Sequence, residues 1–224
     1  MMQNATDPRR ADPADRPEAG LAAARSHVAN LAVLEQAALG CRACALWERA
    51  TQTVFGEGPA DASVVLIGEQ PGDVEDSAGR PFVGPAGKVL DRALVEAGLD
   101  RERVFVTNVV KHFKWRPAHG GKRRLHERPA RGEVAACRPW VEAELEVTRP
   151  EAIGLLGATA AQAMLGPAFS VTRQHGLVDR DDLAPLVVAT IHPSAVLRAR
   201  DGDDRAERYA GLVADLRLLR PSAA

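Results

Sequence analysis

Three groups of residues in this chain have types and spacings suited to chemistry. Cys41-x-x-Cys44 brings two thiols to one place, and Cys137 follows far along the chain. Three cysteines cannot all pair, and in a reducing compartment this spacing points to metal or redox chemistry before a disulfide. Three cysteines with one added histidine suit zinc or an iron-sulfur cluster, and spacing does not choose between them; the bland alternative is a buried helix cysteine beside an accidental CxxC. The second group is a cationic loop. Residues 114 to 131 carry Lys114, Arg116, Lys122, Arg123, Arg124, Arg128 and Arg131 against one acid, Glu127, with His126 among them. Such one-sidedness is the electrostatic footprint of a phosphate-backbone contact, unless the loop is merely a solvated one. The third group is polar punctuation after apolar runs, in "GEQPGD", "NVVKH" and "IHPS".

The elements that must position these residues follow from periodicity. Short runs of small and β-branched residues, "ASVVLIG", "VFVTNVVK", "EAIGLLG" and "PLVVATI", predict buried strands. Between and around them, "LAAARSHVANLAVLEQAALGC", "AGKVLDRALVEAGL", "RGEVAACRPWVEAELEVTRP", "ATAAQAMLG" and "ERYAGLVADLRLLR" predict helices, the first with Gly40 as its C-cap. Strands alternating with helices predict an α/β fold, with a mostly parallel central sheet and helices on both faces, whose ligands bind at the carboxyl ends of the strands. All three polar groups fall at such ends. The expected organisation is a disordered tail over residues 1–20 and one domain over 21–220, without internal repeats.

Composition limits the partners. The 224 residues hold 29 Lys+Arg against 30 Asp+Glu, a formal charge of −1, so attraction to a polyanion must come from a local patch. No apolar run approaches the ~20 residues of a membrane span, and the N-terminus has no signal-peptide core. The expectation is a cytoplasmic, monomeric protein with no membrane partner.

The run "GEQPGDVEDSAGRPFVGPAGKVLDRAL", together with "VFVTNVVKH", "ACRPW", "LLGATAAQAMLG" and "HPSAVLR", resembles the iron-sulfur uracil-DNA glycosylases of family 4, in family order from about Cys41 to Val213. Two departures, His112 where that family has cysteine and the inserted "GKRRLH", resemble the UdgX subfamily, which joins itself covalently to uracil-containing DNA. Glu69-Gln70 in place of Glu-Ala agrees with that subfamily.

The resemblance implies a 4Fe-4S cluster on Cys41, Cys44, His112 and Cys137, with His119 as the alternative fourth ligand, and a structural role for the cluster. It implies that uracil-containing DNA, preferably single-stranded, presents a flipped base to a pocket of Gly68, Gln70, Phe82 and Asn108. Phe82 would stack on the base and Asn108 would pair with its edge; the plain readings are a core aromatic and a satisfied turn amide. Cleavage of the N-glycosidic bond expels a uracil anion, so His192 would donate to uracil O2 while Glu69, Gln70 and Asp73 line the sugar side. Ser194, Arg198, Lys122, Arg123 and Arg124 would hold DNA phosphates. His126 would attack C1′, for which it must be neutral, a state the surrounding cations favour. A water-activating histidine explains the same residue type. A turnover glycosylase and a noncatalytic nucleic-acid-binding module are therefore the competing expectations.

Overall fold

The structure is a computed structural model, which describes residues 30–121 and 123–220. The expected tail, the first part of the predicted N-terminal helix and Lys122 lie outside the described residues.

The chain order is α1 (Leu31–Leu39), β1 (Val64–Gly68), α2 (Asp73–Ala78), α3 (Pro85–Ala97), β2 (Val104–Asn108), β3 (Trp115–Pro117), β4 (Arg124–His126), α4 (Arg131–Thr148), β5 (Ala152–Leu156), α5 (Ala158–Leu165), β6 (Gly176–Val178), β7 (Leu186–Thr190), α6 (Ser194–Leu197) and α7 (Gly202–Arg217). One five-stranded sheet runs β2-β1-β5-β7-β6, parallel except for β6, which lies antiparallel to β7 at the edge. The α/β expectation holds; the antiparallel edge strand and the short helix α2 were not legible. Among the described residues no helix is long and apolar enough to cross a membrane.

Every residue of β1, β2 and β5 is buried, which the uniformly apolar runs require. Alternation along each strand then sorts the core into two layers. Val65, Ile67, Phe105, Ile153 and Leu155 face one layer with Leu34 of α1 and Trp140 and Val141 of α4. Val64, Leu66, Val104, Val106 and Leu156 face the other, with Leu90 and Leu94 of α3 and Leu212 and Leu216 of α7. Gly154 sits in β5 where a side chain would strike Leu66 and Leu219, so the small residue sets how closely α7's end approaches the sheet.

The cationic loop is more ordered than its composition suggests. β3 and β4 pair antiparallel, Trp115 opposite His126 and Pro117 opposite Arg124, closing a second, two-stranded sheet.

Candidate active site at the strand ends

Gly68 and Asn108 are register partners at the ends of β1 and β2. Asn108 is 3% exposed, and among the described residues its carboxamide has no hydrogen-bond partner. Its polar atoms are not among the wholly enclosed unpartnered ones, so the little exposure it keeps lies at the carboxamide, open to a ligand edge. A side chain at position 68 would collide with the Asn108 Oδ1 and the Phe82 ring, so glycine is what lets the two meet. Phe82 is buried with φ of 57°, in the left-handed region that a bulky residue avoids. Two features hold it there. Its carbonyl packs where any side chain on Gly87 would sit, and the buried Glu75 accepts from the Gly84 and Gly72 backbone N–H groups at 2.8 and 3.2 Å, closing the loop around it.

After β7, His192 enters beside Phe82, with ring centroids 6.2 Å apart. Gly157, at φ of 91°, leaves space for the His192 side chain. The His192 Nδ1 accepts from the Ser194 backbone N–H at 3.2 Å and faces the Ser194 Oγ at 2.7 Å, so the ring proton sits on Nε2. Burial, then Arg198 and His126, push its pKa down to about 4. The site therefore presents a neutral N–H donor at physiological pH. Arg198 donates to the Ser194 Oγ at 2.8 Å, so these two residues, expected at phosphates, also orient His192.

His126 reaches the same place from β4. Its side chain is half exposed, and Nε2 lies 3.0 Å from the Gln70 Nε2 and 3.4 Å from the Glu69 Oε1. Because the Gln70 Oε1 accepts from the Lys114 N–H at 3.1 Å, the Gln70 nitrogen is the donor. It points toward the Lys114 carbonyl at 3.2 Å, the Glu127 carbonyl at 3.1 Å and the His126 Nε2. Gln70 thus clasps both strands of the hairpin and leaves His126 with its lone pair on Nε2. The pKa of His126 is lowered, first by burial, against the raising effect of Glu69, with Arg198 adding to the lowering. That corrects the reason expected from sequence: desolvation and a distant arginine, rather than the loop's own cations, favour the neutral ring.

Glu69 is fixed from the far side. Its Oε2 accepts a short hydrogen bond from the buried Thr159 hydroxyl in the first turn of α5, where the helix dipole favours an anion. Arg128 donates through Nε to the Thr159 Oγ1 at 3.1 Å and through Nη2 to the Gln162 Oε1 at 2.9 Å.

Several loop cations are engaged inside the protein. Arg124 bonds Asp73 and the fully buried Asp76, each at 2.5 Å, and Lys114 bonds Glu133 at 3.0 Å. Asp73, expected along the sugar, is thereby the partner of Arg124. Arg116, Arg123 and Arg131 are exposed and have no ion pair among the described residues, so the free cationic footprint is smaller than the loop's composition suggested. Glu75, Asp76, Thr159 and Lys111 escaped the sequence reading, the only hint being acids inside a glycine-rich run and polar residues inside buried elements.

The metal-binding candidates lie behind the hairpin. The Cys41 Sγ accepts from the Trp140 indole N–H at 3.3 Å, and the Cys137 Sγ from the Lys111 backbone N–H at 3.2 Å. Burial pushes the Cys137 thiol up to about 12 and raises Cys44, and neighbouring Cys41 adds to both. His112 is buried, its Nε2 3.0 Å from the Thr53 Oγ1, whose proton is directed to the Ala38 carbonyl. In that arrangement the imidazole donates through Nε2 and keeps a lone pair on Nδ1, the state a metal ligand needs. His119, the alternative, is exposed at the hairpin turn. Among the described residues no three His, Cys, Asp or Glu side chains gather as a single-ion site. Thiols that accept N–H bonds, together with an imidazole that keeps a lone pair, are donors of the kind an iron-sulfur cluster takes.

Phe82 and Asn108 thus meet at the carboxyl ends of the parallel strands, with His192 beside the Phe82 ring and His126 beside Glu69, the place where an open α/β sheet binds its ligand. The chain belongs to the uracil DNA glycosylase superfamily, whose family model matches residues 55–217. It is 39% identical to the type-4 uracil-DNA glycosylase of Thermotoga maritima over 74% of this chain and 82% of that protein. It is also 34% identical to the type-4 enzyme of Sulfurisphaera tokodaii (75% and 76% covered) and 37% identical to that of Archaeoglobus fulgidus (71% and 79%).

Proposed function

We propose that the protein excises uracil from DNA and captures the resulting sugar on His126, as the UdgX-like features of its sequence suggest. The observation that carries this reading is the placement of the His126 Nε2 lone pair 3.4 Å from Glu69 and on the clasp of Gln70, directly after the strand that ends beside Asn108.

Uracil would stack on Phe82 and satisfy the unpaired Asn108 amide. As the N1–C1′ bond breaks, its electron pair goes to uracil, whose O2 accepts from the neutral His192 Nε2–H. The Glu69 carboxylate faces the oxocarbenium that remains. The His126 lone pair then forms the Nε2–C1′ bond, and loss of the Nδ1 proton restores a neutral ring. Nucleic acid would approach over exposed cations and rings, where Arg42 stacks 4.2 Å from Trp47 and Arg49 4.5 Å from Trp115; such pairs suit unstacked single-stranded bases. Cys41, Cys44, Cys137 and the His112 Nδ1 would hold a 4Fe-4S cluster, which ties the segments flanking the hairpin together. The test is incubation with a uracil-containing single-stranded oligonucleotide followed by denaturing electrophoresis: a band of combined mass supports capture.

A second reading rests on the same 3.4 Å pair. His126 with Glu69 could activate water, giving turnover and free abasic DNA. In that case the native protein cleaves without retaining the oligonucleotide.

A further inference from the structure

Behind the base pocket lies a closed polar network that the reaction above does not use. Lys111 is 1% exposed, and its ammonium spends all three protons inside the protein: on the Thr107 Oγ1 at 2.6 Å, the Glu144 Oε2 at 2.7 Å and the Asn108 carbonyl at 3.0 Å. Glu144 is fully buried; it also accepts from the Thr107 hydroxyl at 2.7 Å and the Gly56 N–H at 3.0 Å. A buried ion pair is seldom the most stable filling for a core, because desolvation offsets much of the attraction. Its presence between β2 and α4 asks for another reason, and beyond the pair and its hydroxyl the network reaches two backbone groups, the Gly56 N–H on the glutamate side and the Asn108 carbonyl on the lysine side.

We propose that Lys111 is a positioning residue for base recognition, holding the Asn108 backbone so that the Asn108 carboxamide meets the uracil edge at a fixed place. This rests on the reading that Asn108 faces uracil. The segment just past β2 is tied on its other side to β1's end, with the Val109 and Val110 N–H groups each 3.0 Å from the Gly68 and Glu69 carbonyls. Lys111 supplies the opposing tie, reaching back three residues, while its own carbonyl accepts from the Val54 N–H at 2.8 Å. A carboxamide with no hydrogen-bond partner among the described residues is aimed chiefly by its backbone. Without the ammonium, the Asn108 peptide loses a charged donor and gains freedom to tilt.

The test compares the native protein with Lys111→Met, Lys111→Gln, Glu144→Gln and the double variant Lys111→Met/Glu144→Gln. Measured for each are thermal unfolding, affinity for a uracil-free oligonucleotide, single-turnover excision rate at saturating uracil-containing DNA, and inhibition by free uracil. Lys111→Gln keeps a donor for Glu144 but is a bond shorter, and the double variant removes both charges, so a folded protein lacking the ammonium is available even if Lys111→Met is not. Variants lacking the lysine should bind uracil-free DNA as the native protein does. They should excise about 10- to 100-fold more slowly at saturation and need correspondingly more free uracil for inhibition. Glu144→Gln, which keeps the ammonium on Asn108, should stay within about threefold of native. A rate that follows thermal stability across the set, or a folded lysine-free variant with native rate and native uracil inhibition, overturns the proposal. A native protein that leaves uracil in place defeats the parent reading instead.

Discussion

At the scale of single residues, the account turns on which proton each imidazole carries. In the proposed reaction His192 donates through Nε2 because the backbone N–H of Ser194 occupies its Nδ1, and His126 attacks through the Nε2 lone pair that the Gln70 amide orients. That reaction gives the two rings opposite tasks, and in each the largest cause lowering the pKa is desolvation, greater for His192 than for the half-exposed His126. Protonation of His126 removes its lone pair, and its pKa lies below the usual 6.5. The rate of adduct formation should therefore be level above neutrality and fall only as pH drops below the ordinary imidazole range, measured by quenching single-turnover reactions across a pH series. A rate that rises on acidification would contradict a neutral nucleophile. Folding stability has its own sign. His192 has a folded pKa of about 4, so the unfolded chain binds the extra proton between 6.5 and 4, and stability is lost as pH falls through that window, by roughly 2–3 kcal/mol at the bottom of it.

At the scale of elements, the site depends on how the hairpin and the Phe82 loop are fastened. Gln70 is the only described side chain that bonds backbone groups on both sides of the hairpin, at Lys114 and Glu127. Gln70→Ala should slow capture by about tenfold or more while changing excision less, because His192 and Asn108 stay in place; uracil release and adduct yield measured in parallel would separate the two. Gly87→Ala should force the Phe82 carbonyl away from α3 and destabilise the fold by about 1–3 kcal/mol, the usual range for overpacking, read by denaturant unfolding. The strands and long helices were legible from sequence because the core is sorted by simple period-2 and helical patterns. The hairpin was not, since β3 and β4 are held by side chains far along the chain, Asp76 and Gln70 among them, and not by local apolar alternation. For the same reason Glu75, Asp76 and Thr159 were invisible: an acid in a glycine-rich loop reads as solvated until burial shows that it is a clasp. Resemblance could nominate Asn108 and His192, whereas their lack or supply of partners is a fact of three dimensions.

At the scale of the whole molecule, a chain of charge −1 would have to approach DNA through a few cations, with Arg116, Arg123 and Arg131 without an ion pair among the described residues and Arg124 and Lys114 committed to the fold. The metal proposal belongs here too, since Cys41 and Cys44 precede the region matched by the family model, while His112 and Cys137 flank the hairpin. The purified protein should show visible iron-sulfur absorbance. Cys137→Ala or iron chelation should lower the unfolding temperature and adduct yield together, because metal binding energy is partly folding energy; an iron-free protein of unchanged stability would remove the cluster from the account. The central claim, that His126 becomes bonded to the sugar, is tested most directly by intact mass spectrometry after incubation with a uracil-containing oligonucleotide. The native protein should gain the mass of the oligonucleotide less uracil, with the bond mapped to His126, and His126→Ser should gain no mass yet still release uracil. An unmodified native protein, or a His126→Ser protein that still gains the full mass, would contradict it.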